Sequence, residues 1–337
     1  MLRAVVILVV ILISAGMGRA EDGTPNSAKT FYFENDVFYK QDRHYTNGLK
    51  YSWLTDDPTS FYIRRSAQLP FIETFWPGYK RQVVESVGQN IYTPKDIELT
   101  ELIPNDRPYA GWLYYSVDLL VINGFDYNQL GITAGIVGPW SLAEQTQKLV
   151  HRTLTTAAIP RGWDNQLKNE PGLILTYDKK YKFSLMRDRW IEFDVIPHWG
   201  ASLGNVMTNL RGGGMVRMGH NVPHDFGTPR MPSALMAEHL KREHDRHSEY
   251  GFYFFALFEK RYVAHNIFLD GNTFTESHHV SKKPVVYDYD MGAALVFPTA
   301  RRGVPDQIVY RSVFRTEEFY EQDAPDRYGS LMFEWWY

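Results

Sequence analysis

Along much of this chain apolar and polar residues alternate with a period of two, which predicts strands that turn one face to a nonpolar medium. Twelve runs rich in aromatic or β-branched residues, bounded by Gly, Pro, Asn or Asp, carry the pattern. They span 29–36, 46–55, 81–92, 108–121, 129–138, 171–178, 190–201, 206–218, 250–264, 284–297, 307–316 and 328–337. The last run is the clearest. Tyr337, Trp335, Phe333 and Leu331 alternate with Trp336, Glu334, Met332 and Ser330, so the larger apolar set shares one face.

One segment departs from this rhythm. Residues 135–152 read as the end of an apolar strand, a Gly138-Pro139 turn and then a helix. Ser141 and Glu144 stand at capping-box spacing, so the helix is expected to begin at Leu142. Leu142, Thr146, Leu149, Val150 and Thr153 form one stripe; Glu144, Gln147 and His151 form another. This reading presents His151 beside Gln147, away from the apolar stripe. Such a histidine is either a surface residue or, if the helix lies at a barrel mouth, a candidate base.

Composition narrows the class. Aromatic residues make up 15% of the 337, yet no later segment is apolar for long enough to span a bilayer as a helix. An even strand count and aromatic-rich strands predict an all-β protein, a single closed antiparallel transmembrane β-barrel with a short external-loop helix over the rim. A secreted β-sandwich is the competing architecture on composition alone. Arg3, the apolar stretch 4–14 and Gly18-Arg19-Ala20 read as a signal peptide over 1–20, leaving 21–337 as the barrel domain. Removing Arg3 and Arg19 leaves 34 basic against 39 acidic residues, a net charge of −5, which excludes a nucleic-acid footprint. There is no cysteine, so an exported chain holds together without disulfides. Residues 219–249 fit the scheme poorly. They fall at the inner end, where turns should be short, and 233–244 has helical composition.

Four polar groups fall on segments expected at the outer end. Glu34-Asn35-Asp36 and Thr46-Asn47-Gly48 flank the first loop; their oxygens suit a hard cation such as Ca²⁺, or a plain polar hairpin. Arg107 would bind a phosphate or carboxylate, or pair with Asp106. Asp164 and Glu170 offer further ligands or are loop carboxylates. The fourth is the His151 helix itself. Gly200-Ala201-Ser202-Leu203-Gly204 matches the serine-hydrolase elbow in letters, but that motif needs a strand-to-helix turn, and here a barrel strand ends in a short one.

Taken together, these segments resemble the lipid A 3′-O-deacylase family of Gram-negative outer membranes. The resemblance rests on Asn35-Asp36, on Tyr45-Thr46 with Gly48, on Asp106-Arg107, and on Gly135, Gly138, Pro139, Gln147 and His151 in order, over residues 30 to 178. It implies a twelve-stranded barrel with a Ca²⁺-dependent site between the wall and an external helix. By carry-over His151 is the catalytic histidine, with Asn35, Thr46 and Gln147 beside it, and Asp36 a metal ligand. Two departures stand out: Lys95-Asp96 replaces a Lys-Arg pair, and Ala157 stands where the family has an acidic residue. Lys95 and Arg107 are then the expected substrate-phosphate contacts, and Glu170 the substitute metal ligand. The resemblance implies hydrolysis of the ester that links the 3′ acyloxyacyl chain to lipid A in the outer leaflet. In that chemistry His151 activates a water and the cation stabilises the oxyanion. Lipopolysaccharide and outer-membrane lipids are then the partners, and the C-terminal aromatic strand is the signal for the barrel assembly machinery. The alternatives are a nucleophilic-serine outer-membrane lipase and a non-enzymatic porin.

Overall fold

A computed structural model describes residues 27–39, 44–153, 158–188, 190–228, 250–298 and 306–336. The signal-peptide segment and most of 219–249 lie outside them. The strands are β1 (Ser27–Asn35), β2 (His44–Thr55), β3 (Lys80–Thr93), β4 (Ala110–Asn123), β5 (Asp126–Val137), β6 (Glu170–Tyr181), β7 (Phe183–Arg187), β8 (Glu192–Gly204), β9 (Met207–His220), β10 (Gly251–Asn266), β11 (Val285–Phe297), β12 (Asp306–Arg315) and β13 (Asp326–Trp336). All twelve expected strands are present. β7 is an addition: its register on β8 continues that of β6, from Lys180↔His198 to Phe183↔Val195. β6 and β7 are therefore one wall strand interrupted at Lys182, and the wall has twelve strands. Antiparallel pairing of β1 with β13, and of β6 with β8, closes it.

Closure leaves an inside and an outside, and the period of two sorts side chains between them. The inside is polar and ion-paired: Arg211 with Asp178 at 2.6 Å, Arg311 with Asp290 at 3.0 Å, Arg315 with Asp288 at 2.9 Å. The outside carries exposed Ile132, Leu173, Leu175, Leu210, Phe254 and Leu295, the composition of a wall solvated by lipid. On β13 Leu331, Phe333 and Trp335 are partly exposed while Ser330, Met332 and Glu334 between them are buried, as the terminal alternation predicts; Trp336 at the strand end is partly exposed too. No helix among the described residues is long and apolar enough to cross a membrane.

The first and last described residues, Ser27 and Trp336, lie at one end of the barrel, here the inner end. The described part of the β9–β10 connection explains why that segment is long: it folds into the lumen. Pro223 O accepts from Arg217 Nη2 at 2.6 Å, and Asp225 pairs with Arg217 Nη1. Phe226 packs on Tyr127 with ring centroids 5.2 Å apart, and Thr228 Oγ1 accepts from Arg311 Nη2 at 2.5 Å. At the outer end three loops meet over the mouth. Leu269, Val280 and Phe319 form a small buried cluster, and His278 Nε2 donates to Asp106 O at 2.8 Å. A cavity of about 150 Å³, lined by both charged and apolar side chains, remains between these plugs.

Arg217 is the keystone of the inner plug, since its buried guanidinium serves both Asp194 and Asp225. Arg217→Met strips Asp225 of this cation and leaves Asp194 only Lys182 and Arg187, at 3.6 and 3.5 Å, and is expected to cost about 3–5 kcal/mol. The check is a lowered temperature for the loss of heat-modifiable gel migration, with ion conductance appearing in planar bilayers. An unchanged transition would exclude this role.

Candidate active site on the outer face of the wall

Strand parity decides where the expected site residues go. Asn35 lies opposite Asn47, Asn47 opposite Ile91, and Ile91 opposite Gly111. In the other direction Asn35 faces Gly329, and Gly329 faces Ser312. Directly opposed residues share a face, so these six form one row across β12, β13, β1, β2, β3 and β4. The face is the outer one. Glu34 and Tyr45 line the lumen, where the Tyr45 hydroxyl donates to Glu34 Oε2 at 2.6 Å; Asn35 is therefore turned away from it.

A β-bulge adjusts the row at β2. The register shifts between Tyr45 and Asn47, with Thr46 as the extra residue. Tyr45 thereby packs on lumen-side Tyr92 and Tyr328 at 5.4 and 5.1 Å, while Asn47 takes the outer side. The Thr46 hydroxyl bonds to the Thr93 hydroxyl at 2.7 Å. Asn35, Asp36, Thr46, Asn47 and Thr93 are all buried, although their strands border lipid. Asn47 Oδ1 has no hydrogen-bond partner.

Two covers shelter the row. On one side the 3-10 turn Asp36–Tyr39 folds back, and the Tyr39 hydroxyl donates to Ser312 Oγ at 2.5 Å. On the other side the helix 143–153 (Ala143–Thr153) lies on the outer wall at β3 and β4. A Cβ on Gly111 would stand 2.0 Å from Ser141 Oγ and 2.3 Å from Ala143 Cβ, so only glycine lets the helix seat so closely. Ile91, Ile97, Tyr109, Ala143 and Trp163 form the buried core beneath it. Gly138, at φ +94° and against the Lys168 backbone, makes the sharp entry.

The helix differs from the sequence expectation in three ways. It begins at Ala143, because Leu142 has φ +60° and closes the preceding turn. No capping box forms, since the Ser141 hydroxyl donates to Gly138 O at 2.6 Å. It lies against the wall rather than across the mouth, and it buries Ala143, Gln147 and His151. Leu142 and Leu149 are 54% and 62% exposed. The face away from the wall looks toward lipid, so the apolar residues take it.

His151 is oriented through Nδ1. Its Nδ1 lies 2.6 Å from Ala158 O, which can only accept, so Nδ1 carries the proton and Nε2 is left as the basic nitrogen. Gln147, one turn earlier, accepts from Trp163 Nε1 at 2.8 Å through Oε1; its Nε2 is buried without a partner. Two residues below the row, about 7 Å along the strands, Phe33, Leu49, Gln89 and Leu113 lie opposite one another on the lipid face. Gln89 Nε2 donates to Ser141 O at 2.6 Å and ties the helix entry to that face. The arrangement is a set of buried polar groups directly above a lipid-facing floor of Phe33, Leu49, Gln89 and Leu113.

Asn35, Asp36 and Thr46 thus stand at the outer ends of β1 and β2, and Gln147 and His151 on the helix over neighbouring β3 and β4. Arg107 does not join them. Its guanidinium lies 5.0 Å over lumen-side Tyr92 and pairs with Glu318 at 3.3 Å. Glu170 is also elsewhere, with its carboxylate committed: Oε1 accepts from Asn205, and Oε2 from Asn272 and the Thr273 and Phe274 amides. It anchors the β10–β11 loop. Lys95 is exposed and paired with exposed Asp323. Asp164 is exposed. Ala157 lies outside the described residues. No cluster of three or more His, Asp or Glu side chains able to hold a metal occurs among the described residues; a site here would rest on amide, hydroxyl and carboxylate oxygens. Ser202 sits within β8, where its hydroxyl accepts from Arg211 Nη1 at 2.9 Å, so the serine-elbow geometry is absent. Thr93 and the Ala158 carbonyl escaped sequence reasoning; a backbone acceptor leaves no letter in a sequence.

With this geometry in hand, the family model of outer membrane protein LpxR matches residues 5–337. The chain belongs to the LpxR family. It is accordingly a protein of the bacterial outer membrane. The LpxR-family fold is matched by the structure of LpxR from Salmonella typhimurium, with TM-score 0.72, 18% identity, and coverage of 92% of this chain and 100% of that one. The translocator domain of autotransporter NalP from Neisseria meningitidis aligns at TM-score 0.33 and 8% identity, covering 99% of this chain and 95% of that one, and carries no argument. A search of curated protein sequences finds no match.

The loops over the mouth carry a pH dependence of their own. His44 Nδ1 lies 2.6 Å from Asp326, and Nε2 lies 3.5 Å from Asp106. Burial pushes the Asp106 carboxyl up, but His44 and the Lys95 and Arg107 amides outweigh it and hold it below the usual range. Burial likewise opposes ionisation of Glu318, and Arg315, Arg107 and Arg261 overcome it. Both acids bind protons more weakly folded than unfolded. The stability they contribute is complete above about pH 5 and is lost as pH falls through their unfolded and then their lowered folded values. Through these two acids the melting temperature of the refolded barrel should hold down to about pH 5 and then fall. The fall should be shallower in Glu318→Gln; equal falls would remove Glu318 from this account.

Proposed function

We propose that this chain is a Ca²⁺-dependent lipid A 3′-O-deacylase that hydrolyses the ester of the 3′ acyloxyacyl chain in the outer leaflet. The observation that carries the reading is His151, buried on the outer wall and fixed through Nδ1 by the Ala158 carbonyl, on the same face of the wall as the buried polar groups Asn35 and Asn47. An ester at the headgroup boundary meets such a site without leaving the bilayer, its acyl chains lying along Phe33 and Leu49 on the floor.

The donors fit a hard cation. Asp36, the Asn35 and Asn47 amide oxygens and the Thr46 hydroxyl are all oxygen ligands at one buried rim. Asn47 Oδ1, a buried acceptor with no partner, is the kind of atom a cation would satisfy. When bound there, Ca²⁺ supplies positive charge for the oxyanion that develops as the ester is attacked. His151 supplies the base: Nε2 takes a proton from water while Nδ1–H stays on Ala158 O, so the ring keeps its orientation as it becomes charged. Gln147 holds the helix to Trp163 through Oε1, and its buried Nε2–H is the donor proposed for the reacting groups. Lys95 is the basic residue proposed for a lipid A phosphate. Its bridge to Asp323 is solvent-exposed and weak enough to exchange.

The test is mass spectrometry of lipid A incubated with the refolded chain. The intact chain should release the 3′ acyloxyacyl group, and a Ca²⁺ chelator should suppress release. His151→Ala should lower the rate by about 10²–10⁴-fold, the usual worth of a general base, while keeping heat-modifiable migration. Undiminished release by folded His151→Ala would sink the proposal; release indifferent to the chelator would remove the cation from it.

A further inference from the structure

The connection between β2 and β3 does not hang free at the inner end. Its two short helices, α1 (Phe61–Ser66) and α2 (Pro70–Phe75), turn back onto the outside of the wall. Parity puts Arg81, Val83 and Glu85 of β3, and Tyr115 and Val121 of β4, on the outer face, in series with Ile91 and Gly111. Yet Val83 and Val121 are fully buried, as are Ile63 and Ile72 of the helices. Arg81 Nη2 pairs with Glu73 of α2, and Tyr62 of α1 bonds to Tyr115, which donates to Glu85. Trp76 reaches outer-face Tyr177 with ring centroids 6.5 Å apart. The helices therefore replace the wall as its outermost layer over β3 and β4.

What this layer presents is not what water would select. Phe61, Leu69, Phe71 and Phe75 are exposed, with Phe75 at 70%. Exposed Phe125, Phe183, Trp190 and Phe252 stand around the same end, as in the aromatic girdle of an outer-membrane barrel. Arg64 and Arg65 occupy the last turn of α1; Arg65 lies 5.4 Å over the Phe61 ring and donates to Gln68 Oε1 at 3.0 Å. Apolar rings beside arginines, on short helices lying along a lipid-solvated wall, have the chemistry of an interfacial anchor.

We propose that α1 and α2 lie in the phospholipid leaflet at the inner end, with Phe61, Leu69, Phe71 and Phe75 among the acyl chains and Arg64 and Arg65 at the headgroup phosphates. This surface is separate from the His151 site, so its test is independent of the reaction. The chain has no cysteine, so single Phe71→Cys and Phe75→Cys variants accept one nitroxide label each. The labelled, heat-modifiable proteins are reconstituted into phosphatidylethanolamine–phosphatidylglycerol vesicles, and power saturation compares oxygen with a water-soluble nickel chelate. Both labels should favour oxygen severalfold over a label at exposed, polar Thr59→Cys. Arg64→Glu with Arg65→Glu should shift the Phe75 label toward the chelate. Labels at Phe71 and Phe75 as wet as that at Thr59 would overturn the anchor, and no shift in the double variant would overturn the headgroup contact. Should Phe71→Cys fail to fold, Leu69→Cys reads the same layer.

Discussion

Everything in this molecule depends on the closed antiparallel pairing that gives the wall two faces. With β1 joined to β13 and β6 to β8, no strand edge is left to water or lipid among these pairings. Register then becomes a chemical instruction, because a slip of one residue would exchange every lipid-facing side chain for a lumen-facing one. Glu34 inside and Asn35 outside are adjacent in sequence and serve different media. One is hydrogen-bonded to Tyr45 in a polar lumen; the other stands in the row that runs from Ser312 to Gly111. The bulge at Thr46 is the one local breach of alternation in that row. It lets Tyr45 and Asn47 take opposite sides.

The strands were legible because period two is a signal within each strand and needs no knowledge of partners. β7 was missed because Lys182 interrupts the sixth wall strand. Its continuity appears only in the register of its partner β8. The inner plug could not be read either. Asp225 and Phe226 matter through Arg217 and Tyr127, and nothing in a linear pattern announces that pairing. Glu170 was misplaced for the same reason. Its partners Asn272 to Phe274 are about a hundred residues away, and they spend its carboxylate on holding a loop.

The helix 143–153 shows a different failure. Sequence reading correctly placed Gln147 and His151 on one face. It set the helix over the rim, whereas the structure lays it on the outer wall with that face buried. Where the outside is lipid, exposing Leu142 and Leu149 costs nothing and burying Gln147 beside Trp163 is the better arrangement. Helix amphipathicity in such a loop is inverted relative to a soluble protein. The same inversion applies to α1 and α2, whose exposed phenylalanines would be errors in water.

The inversion also bears on why a polar site belongs on this face at all. A lumen site would require a lipid ester to leave the bilayer and pass loops that close the mouth around Leu269, Val280 and Phe319. A site on the outer wall meets the ester where it already lies, but must keep its own polar groups from facing hydrocarbon. The structure meets that requirement by covering the row from both sides, with the Asp36–Tyr39 turn anchored on Ser312 and the helix seated on Gly111. Beneath this cover Asn47 Oδ1 and Gln147 Nε2 remain unpaired, an acceptor and a donor held dry at some cost. Two unsatisfied groups of opposite sense on this sheltered face are poor economy for a structural wall. They are what a site needs if, on the proposed reading, it completes its hydrogen bonds and its coordination only when the cation, the water and the ester are present.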